Sequence, residues 1–115
     1  MKLYNNKGSE DIDAWEWHQA SNIFFLKCRA FEEKGFRHGF FTKNPKSKHP
    51  EDLSLLLGGT NNFYKVNQVH GDCIVNTSQI KEGNSTKADC LVSGEKDQSL
   101  WIYTADCIPI LFASL

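Results

Sequence analysis

This 115-residue chain lacks an excess of either charge: thirteen Lys and Arg stand against fourteen Asp and Glu, a net of −1. That balance excludes a basic nucleic-acid-binding face spread over the whole chain. No apolar run approaches the roughly 20 residues that a membrane-spanning helix needs. Met1 opens onto Lys2, Asn5, Asn6 and Lys7, with no apolar stretch of the kind a secretory signal requires. The cytoplasm is therefore the expected compartment, with neither nucleic acid nor membrane as a partner. Repeats, linkers and C-x-x-C motifs are missing too. Hydrophobic content of 40% and charged content of 23% exclude a disordered chain, and the length allows one domain or part of one.

The four cysteines, Cys28, Cys73, Cys90 and Cys107, are widely spaced. In a reducing compartment they are expected as free thiols, most of them buried as small hydrophobes, with Cys73 and Cys90 in the core. Two glycosylation sequons, Asn76-Thr77-Ser78 and Asn84-Ser85-Thr86, read as chance matches in such a chain.

Periodicity places a hairpin first. Trp15 to Gln19 alternates apolar and polar, Ala20-Ser21-Asn22 is turn-like, and Ile23 to Cys28 reads as the return strand. Phe36 to Thr42 is aromatic-rich and expected to be extended, and Asn44 to Lys48 forms a polar loop around Pro45. One helix is expected: Pro50 suits its first position, Glu51 and Asp52 suit its positive end, Leu53 to Leu57 supply an apolar face, and Gly58-Gly59 stop it. Phe63 to Val69 and Cys73 to Val75 read as strands interrupted at His70-Gly71-Asp72, and Asp89 to Val92 as a short strand. Leu100 to Phe112 is strongly apolar, broken at Thr104 to Cys107 and at Pro109. Its last part, Ile108 to Phe112, is expected as a fully buried strand. Such a strand needs neighbours and cover, so either the chain self-associates through it or the chain is the front portion of a longer one, the reading we favour.

Two segments interrupt apolar strands with chemistry-bearing residues: Asn67-Gln68-Val69-His70-Gly71-Asp72 and Thr104-Ala105-Asp106-Cys107-Ile108-Pro109. Polar groups so placed must be paired or cost a few kcal/mol. The residue types leave three readings open. Asp106 caps a turn, Cys107 packs in the core and His70 bonds a loop carbonyl; or His70 and Cys107 are imidazole and thiolate ligands of zinc or copper; or they form a Cys–His nucleophile pair. Of the other candidates, His38 reads as a satisfied structural histidine, His18 as a hairpin surface residue and His49 as a loop residue before the helix. Asp89 either lines a site or opens its strand. Lys43, with Lys46 and Lys48, makes a small basic loop, a solvated face or an attractor of phosphate.

The stretches HGFFTK (38–43), NQVHGD (67–72), KADCLVS (87–93) and YTADCIPILF (103–112) together resemble the YfiH family, also called the laccase-domain or multicopper polyphenol oxidase family. The resemblance covers residues 36–115. It implies an α+β fold, a layered mixed β-sheet domain with flanking helices, of which residues 1–115 would be the N-terminal portion, truncated before the family's C-terminal half. It implies zinc bound by His70 and Cys107, with a third ligand from a downstream H-A-G-W-R-G motif that this sequence does not contain. It also implies purine nucleoside phosphorylase activity, in which a purine nucleoside and phosphate give base and ribose 1-phosphate, with adenosine deamination and methylthioadenosine phosphorolysis as further activities. Zinc would suit deamination by lowering the pKa of a bound water. An older assignment makes family members copper-dependent polyphenol oxidases, and a non-enzymatic binding or assembly module that pairs its exposed strand with a partner is the other alternative. Four dispersed histidines without an H-x-H pair argue against a multicopper centre here. Lys43 stands where the family commonly carries arginine, as a point charge without the bidentate fork. Asp106 and Asp89 are the expected acid–base or orienting groups, and Lys43 the expected phosphate or substrate contact. With two ligands only, the isolated chain is expected to have little or no activity.

Overall fold

The computed structural model describes residues 14–43, 49–81 and 86–115. The polar loop expected over Asn44 to Lys48, and Asn84 of the second sequon, lie outside them. The chain is α+β and divides into two compact units, one drawn from residues 1–47 with Ala113–Leu115 and the other from residues 48–112.

The first unit is built on the expected hairpin. Strands β1 (Trp15–Ala20) and β2 (Ile23–Cys28) pair antiparallel from Trp15↔Cys28 to Ala20↔Ile23. Ser21 and Asn22 both have positive φ (48° and 63°), the combination a two-residue hairpin turn needs to match the strand twist. A short helix α1 (Arg29–Glu33), which the sequence pattern did not announce, follows directly. Strand β3 (Phe40–Phe41) then adds antiparallel to β2, so only two residues of the expected extended stretch from Phe36 to Thr42 enter a sheet. The core is Ile23 and Phe25, 3% and 4% exposed, with Phe41 stacked on Phe25 at 4.9 Å between centroids. Gly39 lets this stack close up, since a Cβ there would lie 3.0 Å from the Phe41 ring and 3.2 Å from Phe25. His38 is buried and satisfied as expected. Its Nε2 accepts from the Cys28 N–H at 2.6 Å and its Nδ1 faces the Phe36 carbonyl at 2.9 Å, which fixes the Nδ1–H tautomer. The hairpin's alternation has an unexpected sense. Glu16, His18 and Ala20 share the face of Ile23 and Phe25, while Trp15, Trp17 and Phe24 are exposed on the other.

The second unit opens with the expected helix, α2 (Pro50–Leu56). Pro50 leads, Glu51 and Asp52 fill the first turn, and Gly58, at φ 73°, ends it. Donation from Gly58 N–H to Leu55 and from Gly59 N–H to Ser54 closes the helix with a Schellman pair of hydrogen bonds. The side chains that α2 buries are Pro50 and Ser54, not a leucine. Ser54 is fully buried, donating to the Thr60 carbonyl at 2.9 Å and pairing with Ser99 Oγ at 2.6 Å, while Leu55 is exposed. Strand β4 (Phe63–Lys65) runs parallel to β7 (Ser99–Trp101), and β5 (Ile74–Asn76) parallel to β6 (Cys90–Val92). After β5 a single 3-10 turn, Thr77–Gln79, is fixed by a capping box, with Asn76 accepting from Ser78 N–H and Gln79 accepting from Asn76 N–H. The first sequon is thus part of a helix cap.

Two expectations fail in this unit. Ile108 to Phe112 is not a strand: none of the described strands pairs with it, and Ile108 and Phe112 are each 86% exposed. An apolar run becomes a strand only where another supplies ladder partners, and neither β7 nor the β5–β6 pair reaches it. The cysteines are also not core. All four are free thiols, but Cys73 and Cys107 are exposed and Cys28 and Cys90 only half-buried. Cys73 lies at the point where a loop rejoins the sheet, which keeps it at the surface.

Candidate metal site

The histidine of the first motif sits on a loop pushed out of a parallel ladder. Asn67 bridges Lys87, receiving the Ala88 N–H and donating to the Thr86 carbonyl. The next ladder contact is at Cys73, whose carbonyl accepts from both Asp89 and Cys90. Between these contacts one strand spends residues 68–72 while its partner advances from Ala88 to Asp89. The extruded residues lose their ladder partners, and backbone N–H groups must find others.

Asp89 supplies them. Its Oδ1 accepts from Val69 N–H at 3.1 Å and His70 N–H at 2.8 Å, and its Oδ2 accepts from Gly71 N–H at 2.8 Å. These bonds, Gly71's foremost, hold the Asp89 carboxyl below the usual aspartate range. They also hold His70 in the left-handed region at φ 58°, a conformation uncommon for a residue other than glycine. Asp89 therefore neither simply opens a strand nor stands free in a site. It is the anchor of the loop that carries His70.

The second motif is tied to the same loop by Gln68. The carboxamide donates from Nε2 to the Tyr103 carbonyl at 2.7 Å and accepts the Tyr103 N–H on Oε1 at 2.9 Å. Tyr103 leads directly into Thr104, Ala105, Asp106 and Cys107. His70, Asp106 and Cys107 are all exposed and all belong to the second unit. Lys43 is exposed and belongs to the first unit.

As a donor set, an imidazole nitrogen and a thiolate suit zinc, but they fall short of the three protein ligands of a catalytic zinc. Among the described residues, neither His70 nor Cys107 belongs to a cluster of three or more His, Cys, Asp or Glu ligand atoms. The three-donor cluster that does exist lies in the first unit: Glu16, His18 and Glu32, with ligand atoms within 4.8 Å of one another. Its carboxylates are already engaged. Arg29 donates to Glu16 at 2.5 Å, Lys27 donates to Glu32 at 2.8 Å, and His18 Nε2 is 3.7 Å and 3.9 Å from their other oxygens. The Lys27 bond draws the Glu32 carboxyl below its usual range. Sequence reading missed this cluster because its three members come together only through the hairpin register and the unannounced helix α1. His18 is accordingly more than the surface residue expected, lying half-buried and stacked on Phe25.

Comparison with known proteins bears on both motifs. The model of a family described as multi-copper polyphenol oxidoreductase laccase matches residues 47–115. The chain belongs to that family. The match contains the His70 loop, Asp89 and the Asp106–Cys107 segment, and begins after HGFFTK. The description marks the laccase family as a metal-dependent one. Among curated relatives, a purine nucleoside phosphorylase of Synechocystis sp. is 28% identical over 109 residues, an alignment covering 90% of this chain and 40% of the relative. The chain thus spans about two fifths of that relative's length. No solved structure matches the chain. No helix among the described residues is long and apolar enough to cross a membrane.

Proposed function

We propose that this segment belongs to a zinc-dependent purine nucleoside phosphorylase, acting on adenosine, inosine or guanosine with phosphate to give base and ribose 1-phosphate. The alignment of 90% of the chain with a relative of that name is the observation that carries the reading. In it, residues 1–115 form the N-terminal portion of one laccase-family domain. His70 and Cys107 are two zinc ligands, and the third is the histidine of the downstream H-A-G-W-R-G motif. Zinc bound there supplies Lewis-acid polarisation and a water of lowered pKa, chemistry that would also serve deamination of adenosine.

The chain's own residues have distinct duties in this reading. Asp89, with both oxygens accepting backbone N–H groups, holds His70 in place. Asp106, exposed beside Cys107, is the group left to accept or deliver a proton or to orient a ligand. Lys43 carries the positive charge expected of a phosphate contact.

The test is phosphorolysis of inosine by the purified, metal-replete protein that contains this segment, with zinc measured in parallel. His70→Ala and Cys107→Ala should each lose stoichiometric zinc and at least about a hundredfold in rate. Variants that keep both zinc and rate would sink the assignment. The description of the family as a multi-copper polyphenol oxidoreductase favours a second reading, a copper-dependent phenol oxidase. Bound copper and oxygen uptake with a phenolic substrate, without phosphorolysis, would establish it instead.

A further inference from the structure

We propose that Gln68 is a positioning residue, a clasp that sets the place of the Asp106–Cys107 segment relative to His70. The proposal rests on the zinc reading above, since it concerns how the two ligands are held.

A primary carboxamide offers one donor and one acceptor side by side, as a peptide group does. Gln68 uses both on one residue, donating to the Tyr103 carbonyl and accepting the Tyr103 N–H, at 2.7 Å and 2.9 Å. The side chain thus stands in for a strand edge at a point where the real ladder is interrupted. The chain leaves the β5–β6 ladder after Asn67, and β7 ends at Trp101, so no neighbouring strand of the described residues is bonded to Tyr103. Gln68 is two residues before His70, and Tyr103 four residues before Cys107. A path of 37 residues along the chain is short-circuited to a few.

The clasp works because its other side is fixed. Asp89 binds three successive N–H groups from Val69 to Gly71, so the loop from which Gln68 projects cannot swing freely. Loop anchor and clasp act in series: Asp89 fixes His70 to β6, and Gln68 fixes the Cys107 segment to the His70 loop. Beyond Tyr103 the segment is exposed and outside any described strand, which leaves the Gln68–Tyr103 pair as the polar tie that bears on it. Groups that orient metal ligands without touching the metal typically change affinity 10- to 100-fold when removed.

The experiment uses the whole protein loaded with cobalt(II) in place of zinc, because the thiolate-to-cobalt charge-transfer band reports Cys107 directly. Gln68→Met keeps the length of the side chain and removes donor and acceptor together. Gln68→Glu keeps the acceptor for the Tyr103 N–H and loses the donor. For Gln68→Met, amide exchange at Tyr103 should accelerate about tenfold or more, and cobalt affinity should fall about 10- to 100-fold with a weakened band. Gln68→Glu should fall between wild type and Gln68→Met, and also decides the matter if Gln68→Met does not fold. Unchanged exchange at Tyr103 overturns the clasp. So does an unchanged cobalt affinity and band, provided that His70→Ala and Cys107→Ala abolish the band. If those two variants leave cobalt binding intact, the ligand reading fails instead, and exchange at Tyr103 alone decides whether Gln68 holds the segment.

Discussion

In the first unit the side chains withdrawn from water are Ile23, Phe25 and an imidazole with both nitrogens engaged; in the second they are chiefly Ser54, Thr77, Ala88 and Val75. The first is held by stacked aromatic area around a hairpin. The second is stitched by hydroxyls and carboxamides: Ser54 to Ser99, Thr77 and Ser93 to Gln98, Thr60 to the Asp97 carbonyl. Meanwhile Val69, Ile74, Val92, Ile108 and Phe112 stay exposed in the second unit. The difference concerns how each unit fails. Area is lost in proportion to atoms removed, whereas a buried hydroxyl network loses the full cost of each partner it strands.

The strongest way to break the comparison is Phe25→Ala. Removing a ring that is 4% exposed and stacked on Phe41 should destabilise the first unit by about 3–5 kcal/mol. Denaturant unfolding monitored in that unit measures it, and a loss below about 1 kcal/mol would mean the aromatic stack is not its core. In the second unit Gly59→Ala comes next. A Cβ there would sit 2.7 Å from Ser54 Oγ and 2.9 Å from the Ser54 carbonyl, so the helix end and the serine pair must shift, at about 1–3 kcal/mol. A thermal midpoint unchanged from wild type would show that the Ser54–Ser99 contact is not under that constraint.

Asp89 gives a prediction in pH. A carboxyl held below its ordinary value favours the anchored loop above the normal aspartate range, and that contribution disappears as pH falls through the lowered folded value. NMR titration should find Asp89 below the usual aspartate value, with Val69, His70 and Gly71 amides losing protection as it protonates. Loss of protection at the ordinary aspartate pKa would contradict the anchoring. Smallest of all is Ile108→Ser. At 86% exposure the side chain contributes little packing, and stability should move by no more than about 0.5 kcal/mol in an unfolding titration. A larger loss would show that the apolar C-terminal segment is covered.

Local chemistry made much of the fold legible. The hairpin followed from alternation and a turn-like Ser21-Asn22, and α2 from Pro50, two acids and Gly58. His38 was correctly read as structural because an imidazole in an aromatic segment seldom lacks partners. What failed was anything set by tertiary pairing. Ile108 to Phe112 has a strand's composition without a strand's neighbours, and Cys73 has a core residue's context at a ladder's restart point. Helix α1 is too short for a periodicity to declare itself, and Ser54 is buried among leucines that composition would bury first. His70, Asp106 and Cys107 are singled out by residue type and context alone. The duties of Asp89 and Gln68 were invisible, because both are defined by what they accept or donate across 18 or more residues of chain.

The double acceptance at the Cys73 carbonyl has one more consequence. By taking the N–H groups of both Asp89 and Cys90, it restores the pairing of β5 with β6 after the excursion of residues 68–72. The frame of the sheet is therefore insulated from the excursion. A residue gained or lost between Gln68 and Asp72 would alter how far His70 reaches without changing which strand residues face each other. Reach and register can vary separately, and an unaltered scaffold can hold its histidine at more than one distance.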